Sequence, residues 1–345
     1  MTQEPLECPP VEDRANAVGF TIKLFRALHQ YGTPTYRLEQ IMSQVSQRLG
    51  LQGQFFSLPT GIFLSFGAPE EQRATLIRVE PSSVDLGKLG MLHELTRRII
   101  HGEVGPDEGT VEVERITSSL PAYGSVSVVI AYGIASGVGP VFFGGGWHEI
   151  SVASVIGLIL GVISLIVGRS EDASRVFEPL AAVIASALAM VGARVFPPVS
   201  VYIATLAGLL VLFPGLTLTV AIRELATRNL VSGTAQLTGT TVVFLELAFG
   251  VALGSQIDRV LPAVHLVRHT VPLVWWAQWV ALAISPLAFG ILLKSRRKDL
   301  PWILLAGAIG FSGTRAGAAL VGPELGAFIG ALLLGLGSNV YGRVF

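Results

Sequence analysis

From residue 121 to its last residue the chain is a succession of apolar stretches, each about 20 residues long, separated by short polar turns. A helix of that length crosses the roughly 30 Å hydrocarbon core of a bilayer, and lipid offers the backbone few other ways to satisfy its N–H and C=O groups. About eight such windows occur: 121–143, 150–168, 177–196, 199–215, 234–255, 271–293, 300–322 and 324–343. They predict an α-helical polytopic membrane protein. Only 14% of residues are charged, against about 25% in an average soluble domain, and the charges crowd into the first third. A small cytoplasmic α+β domain is therefore expected to precede the membrane helices.

The expected organisation is a disordered tail over 1–14, an α+β domain over 15–116, a first membrane repeat of five helices over 117–255, and an incomplete second repeat of three helices over 256–345. In the α+β domain, Val18, Ile22, Phe25 and Leu28 have helical spacing, and Leu38, Ile41, Met42, Val45 and Leu49 share one face of a second helix that Thr35 could cap. The runs GQFFSLPTGIFLSFG and ATLIRVEPSS read as the two arms of one hairpin around a charged turn at 70–73. Leu86, Leu89, Leu92, Leu95 and Ile99 mark a third helix. His29, His93, His101, Arg37 and Glu39 lie here, but no spacing among them identifies a metal or nucleophilic site.

Net charge is zero, which gives no bulk electrostatic case for nucleic acid. The single cysteine, Cys8, excludes a disulfide within one chain. No cofactor is expected. The first residues, MTQEPLECPPVEDR, do not form a secretory signal. With the N-terminus inside, cytoplasmic loops carry Arg169, Arg175, Arg223, Arg228, Lys294, Arg296, Arg297 and Lys298, and outer segments carry only Arg194, Arg259 and Arg268. This positive-inside bias places both termini in the cytoplasm of a multi-pass protein of the cell inner membrane. Trp147, Trp275, Trp276, Trp279 and Trp302 fall near helix ends, as interfacial anchors do.

FEPLAAVIASALAMVGARVFPPV (177–199) and GPELGAFIGALLLGLGSNVYGRVF (322–345) are similar in layout, as are the helices preceding each. A five-helix repeat inverts across the membrane, an arrangement common in secondary transporters. Its second copy would lack two helices, which a truncated end or a small membrane partner would explain. A homo-oligomer is also compatible with the sequence.

Residues 211–239, VLFPGLTLTVAIRELATRNLVSGTAQLTG, hold the most distinctive break. Pro214-Gly215 interrupts an apolar run, and such a break is either a plain loop or a substrate site lined by protein or water. Thr217 and Thr219 follow it, and a half-helix starting there would turn free N–H groups toward a substrate carboxylate. Glu246 lies mid-helix, where an ionisable group is costly; it could bind a proton or an ammonium group, or pair with Arg315 to hold helices together. Gly239 and Gly250 share roughly its face and would allow a close helix approach. Ser125, Tyr132, Ser136 and Gly139 recur along the first membrane helix, with Gly133 and Gly137 as a small-residue pair, so this face lines a polar cavity or packs on a neighbour. Asn339, His148-Glu149, and His265, Arg268 and His269 complete the polar candidates.

The stretches YGTPTYRLEQIMSQVSQRLGL, SLPTGIFLSF, TLIRVEPSSVDLGKLGMLHELTRRIIHGEV and FPGLTLTVAIRELATRNLVSGTAQLTG, in this order, resemble the threonine/serine exporter family. The resemblance implies a ten-helix exporter with a cytoplasmic N-terminal domain that moves threonine and serine outward at the expense of the proton gradient. Against that pattern the last two helices are lacking. Two other readings stay open: a membrane-anchored, hydrolase-like enzyme with its chemistry in the N-terminal domain, and one subunit of a split transporter.

Overall fold

The computed structural model describes residues 11–67, 73–79, 84–196, 198–259 and 273–344. Contacts divide them into two compact units. One takes the residues up to Ala122 together with Pro214–Val242; the other takes Tyr123–Phe213 and the residues from Val243 onward.

The first, sheet-bearing unit opens with α1 (Val11–Gln30), α2 (Thr35–Arg48), β1 (Gly53–Leu58), β2 (Gly61–Phe66), β3 (Arg73–Arg78), α3 (Leu86–Ile100) and α4 (Pro106–Ser118). The strands form an antiparallel sheet in the order β1-β2-β3. The hairpin expected from two long runs is thus corrected to three strands, because the first run is itself a hairpin, with Leu58 opposite Gly61 across Pro59-Thr60. Proline cannot donate to a strand ladder, so Pro59 ends β1 where the sequence otherwise reads as continuous strand. Residues 70–72 of the expected charged turn and the first ten residues of the expected tail lie outside the described residues.

Helical spacing builds the core of this unit. Phe20, Leu24 and Leu28 of α1 meet Leu38, Met42 and Val45 of α2, Ile62 and Leu64 of β2, and Leu92, Leu95 and Ile99 of α3. Phe25 and Phe66 both pack edge-on to Phe55, at 5.5 and 5.9 Å between centroids. The opposite sheet face leaves Phe56, Phe63 and Leu76 exposed in register. Asp85 caps α3 by accepting from the Lys88 amide at 2.9 Å. Pro106, Asp107 and Glu108 start α4 with a proline in the first turn and acidic residues at the positive end of the helix dipole. Two later segments join this unit: α10 (Gly215–Ala226) and the first half of α11 (Leu230–Ser255).

The second unit is helical: α5 (Ser125–Phe142), α6 (Trp147–Val167), the short α7 (Glu171–Ser174), α8 (Phe177–Val195), α9 (Val201–Gly208), the rest of α11, α12 (Ala277–Leu292), α13 (Leu300–Val321) and α14 (Pro323–Val344). Small residues set its packing. A Cβ on Gly157 would fall 2.5 Å from the Tyr132 carbonyl, and one on Gly137 would overlap the Ser154 hydroxyl, so α5 and α6 approach at backbone distance. On α13 and α14, Gly317 faces Gly326 in the same way.

Among the described residues, six helices are long and apolar enough to cross a membrane, or seven if one bent pair counts as a single span. Two of the roughly eight expected windows take a different form. The window 271–293 contains a helix of only 16 residues, α12, whose length of about 24 Å falls short of the hydrocarbon core. The window 199–215 is not one helix. α9 stops at Gly208, a 3-10 turn follows over Leu210–Leu212, and a new helix starts at Gly215.

Candidate functional site

The interrupted helix is where the helical unit handles polar backbone most carefully. Ending α9 early leaves its last carbonyls without intrahelical donors. One of them, that of Gly208, accepts a hydrogen bond at 3.2 Å from Ser136 of α5, which is fully buried. At the other end of α9, the Ser200 amide donates to Glu149 Oε1 at 2.7 Å, and the Gly146 amide donates to Glu149 Oε2 at 2.8 Å. Glu149 is only 1% exposed, so one buried carboxylate caps α6 and anchors the start of α9. Thr205 of α9 is also buried, and its hydroxyl has no hydrogen-bond partner among the described residues.

Beyond the break, Pro214 precedes the first residue of α10, and no side chain caps that helix. Its first intrahelical bond runs from the Leu218 amide to the Pro214 carbonyl, which leaves the amides of Gly215, Leu216 and Thr217 without an acceptor in the helix. Thr217 is exposed. The Thr219 hydroxyl turns back onto the Gly215 carbonyl at 2.8 Å. Pro214 thus precedes the helix, Gly215 and Thr217 lie in its first turn, and Thr219 opens its second.

In the helical unit, Tyr132 and Ser136 lie one turn apart and face α6, where Gly161 and Gly157 make room for them. Glu246 sits half-buried on α11. Gly250, one turn further on, and Gly254 press against α8: a Cβ on them would fall 2.5 Å from the Pro179 carbonyl and 2.6 Å from that of Val183. Gly239 has nothing within 4 Å. Arg315 does not pair with Glu246; it donates to Gln278 of α12 at 2.6 Å. Asn339 is exposed on α14. His265, Arg268 and His269 lie outside the described residues. Among the described residues, no three His, Cys, Asp or Glu side chains group as metal ligands.

A second polar centre, within the sheet-bearing unit, went unrecognised in the sequence. Glu224 of α10 is 0% exposed. Its Oε1 accepts from the Thr35 amide at 2.8 Å and its Oε2 from Gln236 at 3.0 Å. Thr35 is the first residue of α2 and not its cap, and its hydroxyl meets that of Ser232 at 2.9 Å. One turn along α2, Glu39 accepts from the Ser57 amide at 2.8 Å. His29 Nε2 donates to the neighbouring Leu58 carbonyl at 2.6 Å. A carbonyl only accepts, so Nε2 carries the proton and the neutral ring leaves Nδ1 as an acceptor. Burial pushes the His29 imidazole below its ordinary value, against the Leu58 bond and the Glu224 charge. Burial pushes the Glu39 carboxyl up, the Ser57 amide opposes it, and the Glu224 charge raises it further. Arg223 lies on the Tyr36 ring, 4.9 Å from its centroid.

The fold and these sites define a multi-pass helical membrane protein with an interrupted membrane helix, led by a region with a three-stranded antiparallel sheet. The family model ThrE, described as "Putative threonine/serine exporter", matches residues 19–258, and the chain belongs to that family. It is similar to proteins called "Pheromone-regulated membrane protein 10": 29% identical to that of Pichia sorbitophila, over 94% of this chain and 34% of the relative. For the proteins of that name in Saccharomyces cerevisiae and Candida albicans identity is 27% over 94% of this chain, covering 43% and 30% of the relatives. The chain spans about a third of the length of the curated relatives it matches. No solved structure matches it.

Proposed function

We propose that the chain is a secondary transporter that exports small hydroxy amino acids, threonine and serine, across the membrane it spans, coupled to protons. The observation that carries this reading is the helix interrupted between Gly208 and Gly215 in a chain of the exporter family. Interrupted membrane helices persist where protein buries the open backbone groups or where they line a wet cavity, and transporters place substrate sites at such breaks. The uncapped amides of Gly215, Leu216 and Thr217 suit a substrate carboxylate. Glu246, without the arginine partner the sequence offered, takes the proton.

In this reading the sheet-bearing unit faces the cytoplasm and both termini lie inside, as the distribution of Arg and Lys favours. The chain is a carrier and not a catalyst. Its two helical halves work as inverted repeats, and the chain assembles with a small membrane partner or with a second copy.

The test is reconstitution into proteoliposomes and measurement of threonine efflux under an imposed pH gradient. Wild-type efflux should follow the gradient, and Glu246→Gln should lower it at least tenfold. Wild-type rates from the variant would remove Glu246 from the mechanism. Efflux indifferent to the gradient would remove the coupling.

A further inference from the structure

The polar centre of the sheet-bearing unit has more acceptors than it uses. Three elements converge on the end of β1. His29 comes from the last turn of α1, Glu39 from α2, and their partners Leu58 and Ser57 are adjacent on the strand. Glu224 reaches the same place through Thr35, one helical turn before Glu39, a spacing that sets Cβ atoms about 5–6 Å apart. Every hydrogen-bond donor to the two carboxylates named above is neutral: two backbone amides and the Gln236 side chain. No ion pair reaches Glu39 or Glu224 among the described residues. Two buried or half-buried carboxylates without a cation are costly, since desolvated charge requires a counter-charge or a proton.

Three further groups point to what would relieve this. His29 Nδ1, Thr33 Oγ1 and Ser57 Oγ are all without a hydrogen-bond partner, in residues that are 9%, 6% and 1% exposed. Native structures rarely leave buried polar atoms unmatched, and these belong to His29 and Ser57, both bonded at the end of β1, and to Thr33, two residues before Thr35, beside uncompensated charge. The set is rich in acceptors: the second oxygen of Glu39, the imidazole nitrogen and two hydroxyls. A primary ammonium brings one positive charge and three donors in a compact head.

We propose that His29, Thr33, Glu39 and Ser57, backed by Glu224 near the end of α10, form a binding site for a primary ammonium group, distinct from the break between Gly208 and Gly215. The amino end of a small amino acid and a simple amine both carry this chemistry. Occupancy of the site is read at equilibrium in the sheet-bearing unit, so it stands or falls independently of transport.

The test uses the full chain in lipid nanodiscs, with hydrogen–deuterium exchange followed over residues 29–39 and 53–58. L-Threonine, methylammonium and N-acetyl-L-threonine, which lacks the ammonium group, are titrated separately. Threonine should protect both segments and N-acetyl-L-threonine should not. Protection by methylammonium as well would make the ammonium alone sufficient; its absence would show that the site also reads the amino-acid carboxylate. Glu39→Gln keeps an oxygen for the Ser57 amide and loses only the charge, so it should fold and weaken the effect at least tenfold. Ser57→Ala removes only an unpartnered hydroxyl and should weaken it about threefold, which provides a second reading should Glu39→Gln fold poorly. Glu246→Gln should leave protection of these segments unchanged. Absence of protection by threonine and methylammonium, equal protection by the acetylated probe, or wild-type affinity in both site variants would overturn the proposal.

Discussion

Glu149 shows how a single residue holds a broken helix in place. Both of its oxygens are committed to backbone amides, at Gly146 and Ser200, in a buried setting. Charge-assisted hydrogen bonds of this kind contribute about 1.5–3 kcal/mol each, and their loss strands two amides. Glu149→Ala is therefore expected to destabilise the protein by roughly 2–5 kcal/mol, read as a fall in thermal midpoint in detergent, with Glu149→Gln intermediate. An unchanged midpoint would show that the two amides find other partners. Gly146 has no side chain to complete a capping box, so the sequence offers His148-Glu149 only as polar candidates and this role was not legible in it. Glu224 was not legible either. It stands between Arg223 and Arg228 in an amphipathic stretch that reads as a solvated face, and only the arrival of Thr35, some 190 residues earlier in the chain, makes it buried. Its neighbours His29 and Glu39 give opposite pH dependences. The folded-state pKa of His29 lies below 6.5, so the unfolded chain binds more protons, and stability falls as pH drops from 6.5 through the lower folded value. For Glu39 the folded pKa lies above 4.5, so its contribution is present below 4.5 and is lost as pH rises through the folded value. His29→Gln keeps a donor for Leu58 and removes the first effect. Acidification from pH 6.5 to 4.5 should then increase exchange protection of α1 and β1 in the variant, where in the wild type the two effects oppose. Identical pH profiles would contradict the neutral, buried His29.

At the scale of elements, helices were easier to read than their interruptions. The periods of α2 and α3 and the apolar lengths of α5, α6, α8, α11, α13 and α14 follow from local pattern, and the observed bounds lie within a few residues of those expected. The second hairpin turn, the end of α9 at Gly208 and the short α12 were not legible in that pattern. Pro214-Gly215 marks where the next helix starts, whereas the preceding one stops six residues earlier, with no proline there to announce it. Ser136, read as part of a hydroxyl-lined face, instead supplies the donor that this early stop requires. Glycines separate the same way. Gly250 and Gly254 face backbone carbonyls of α8, which cannot move aside as a flexible side chain would. Gly250→Ala should cost about 1–3 kcal/mol by forcing α11 from α8. Gly239→Ala, with nothing within 4 Å, should be neutral or slightly stabilising through helix propensity. Thermal midpoints of the two variants in one detergent decide this; equal effects would mean that α8 yields to the added methyl.

For the whole molecule, the family and the helical membrane architecture were legible because they rest on the order of motifs and on apolar length. The way residues are shared between units was not, because α10 and the start of α11 are distant in sequence from the sheet that they join. Transport centres, in this account, on the uncapped start of α10. Gly215 has nothing within 4 Å of an added Cβ, so a side chain there starts in open space and stands where a carboxylate would approach the amides. The most direct measurement is threonine efflux from proteoliposomes carrying Gly215→Leu, with Gly239→Leu as the control at a similarly open position. The account predicts at least a tenfold loss for Gly215→Leu at an unchanged thermal midpoint, with Gly239→Leu close to wild type. Wild-type efflux from Gly215→Leu would contradict it.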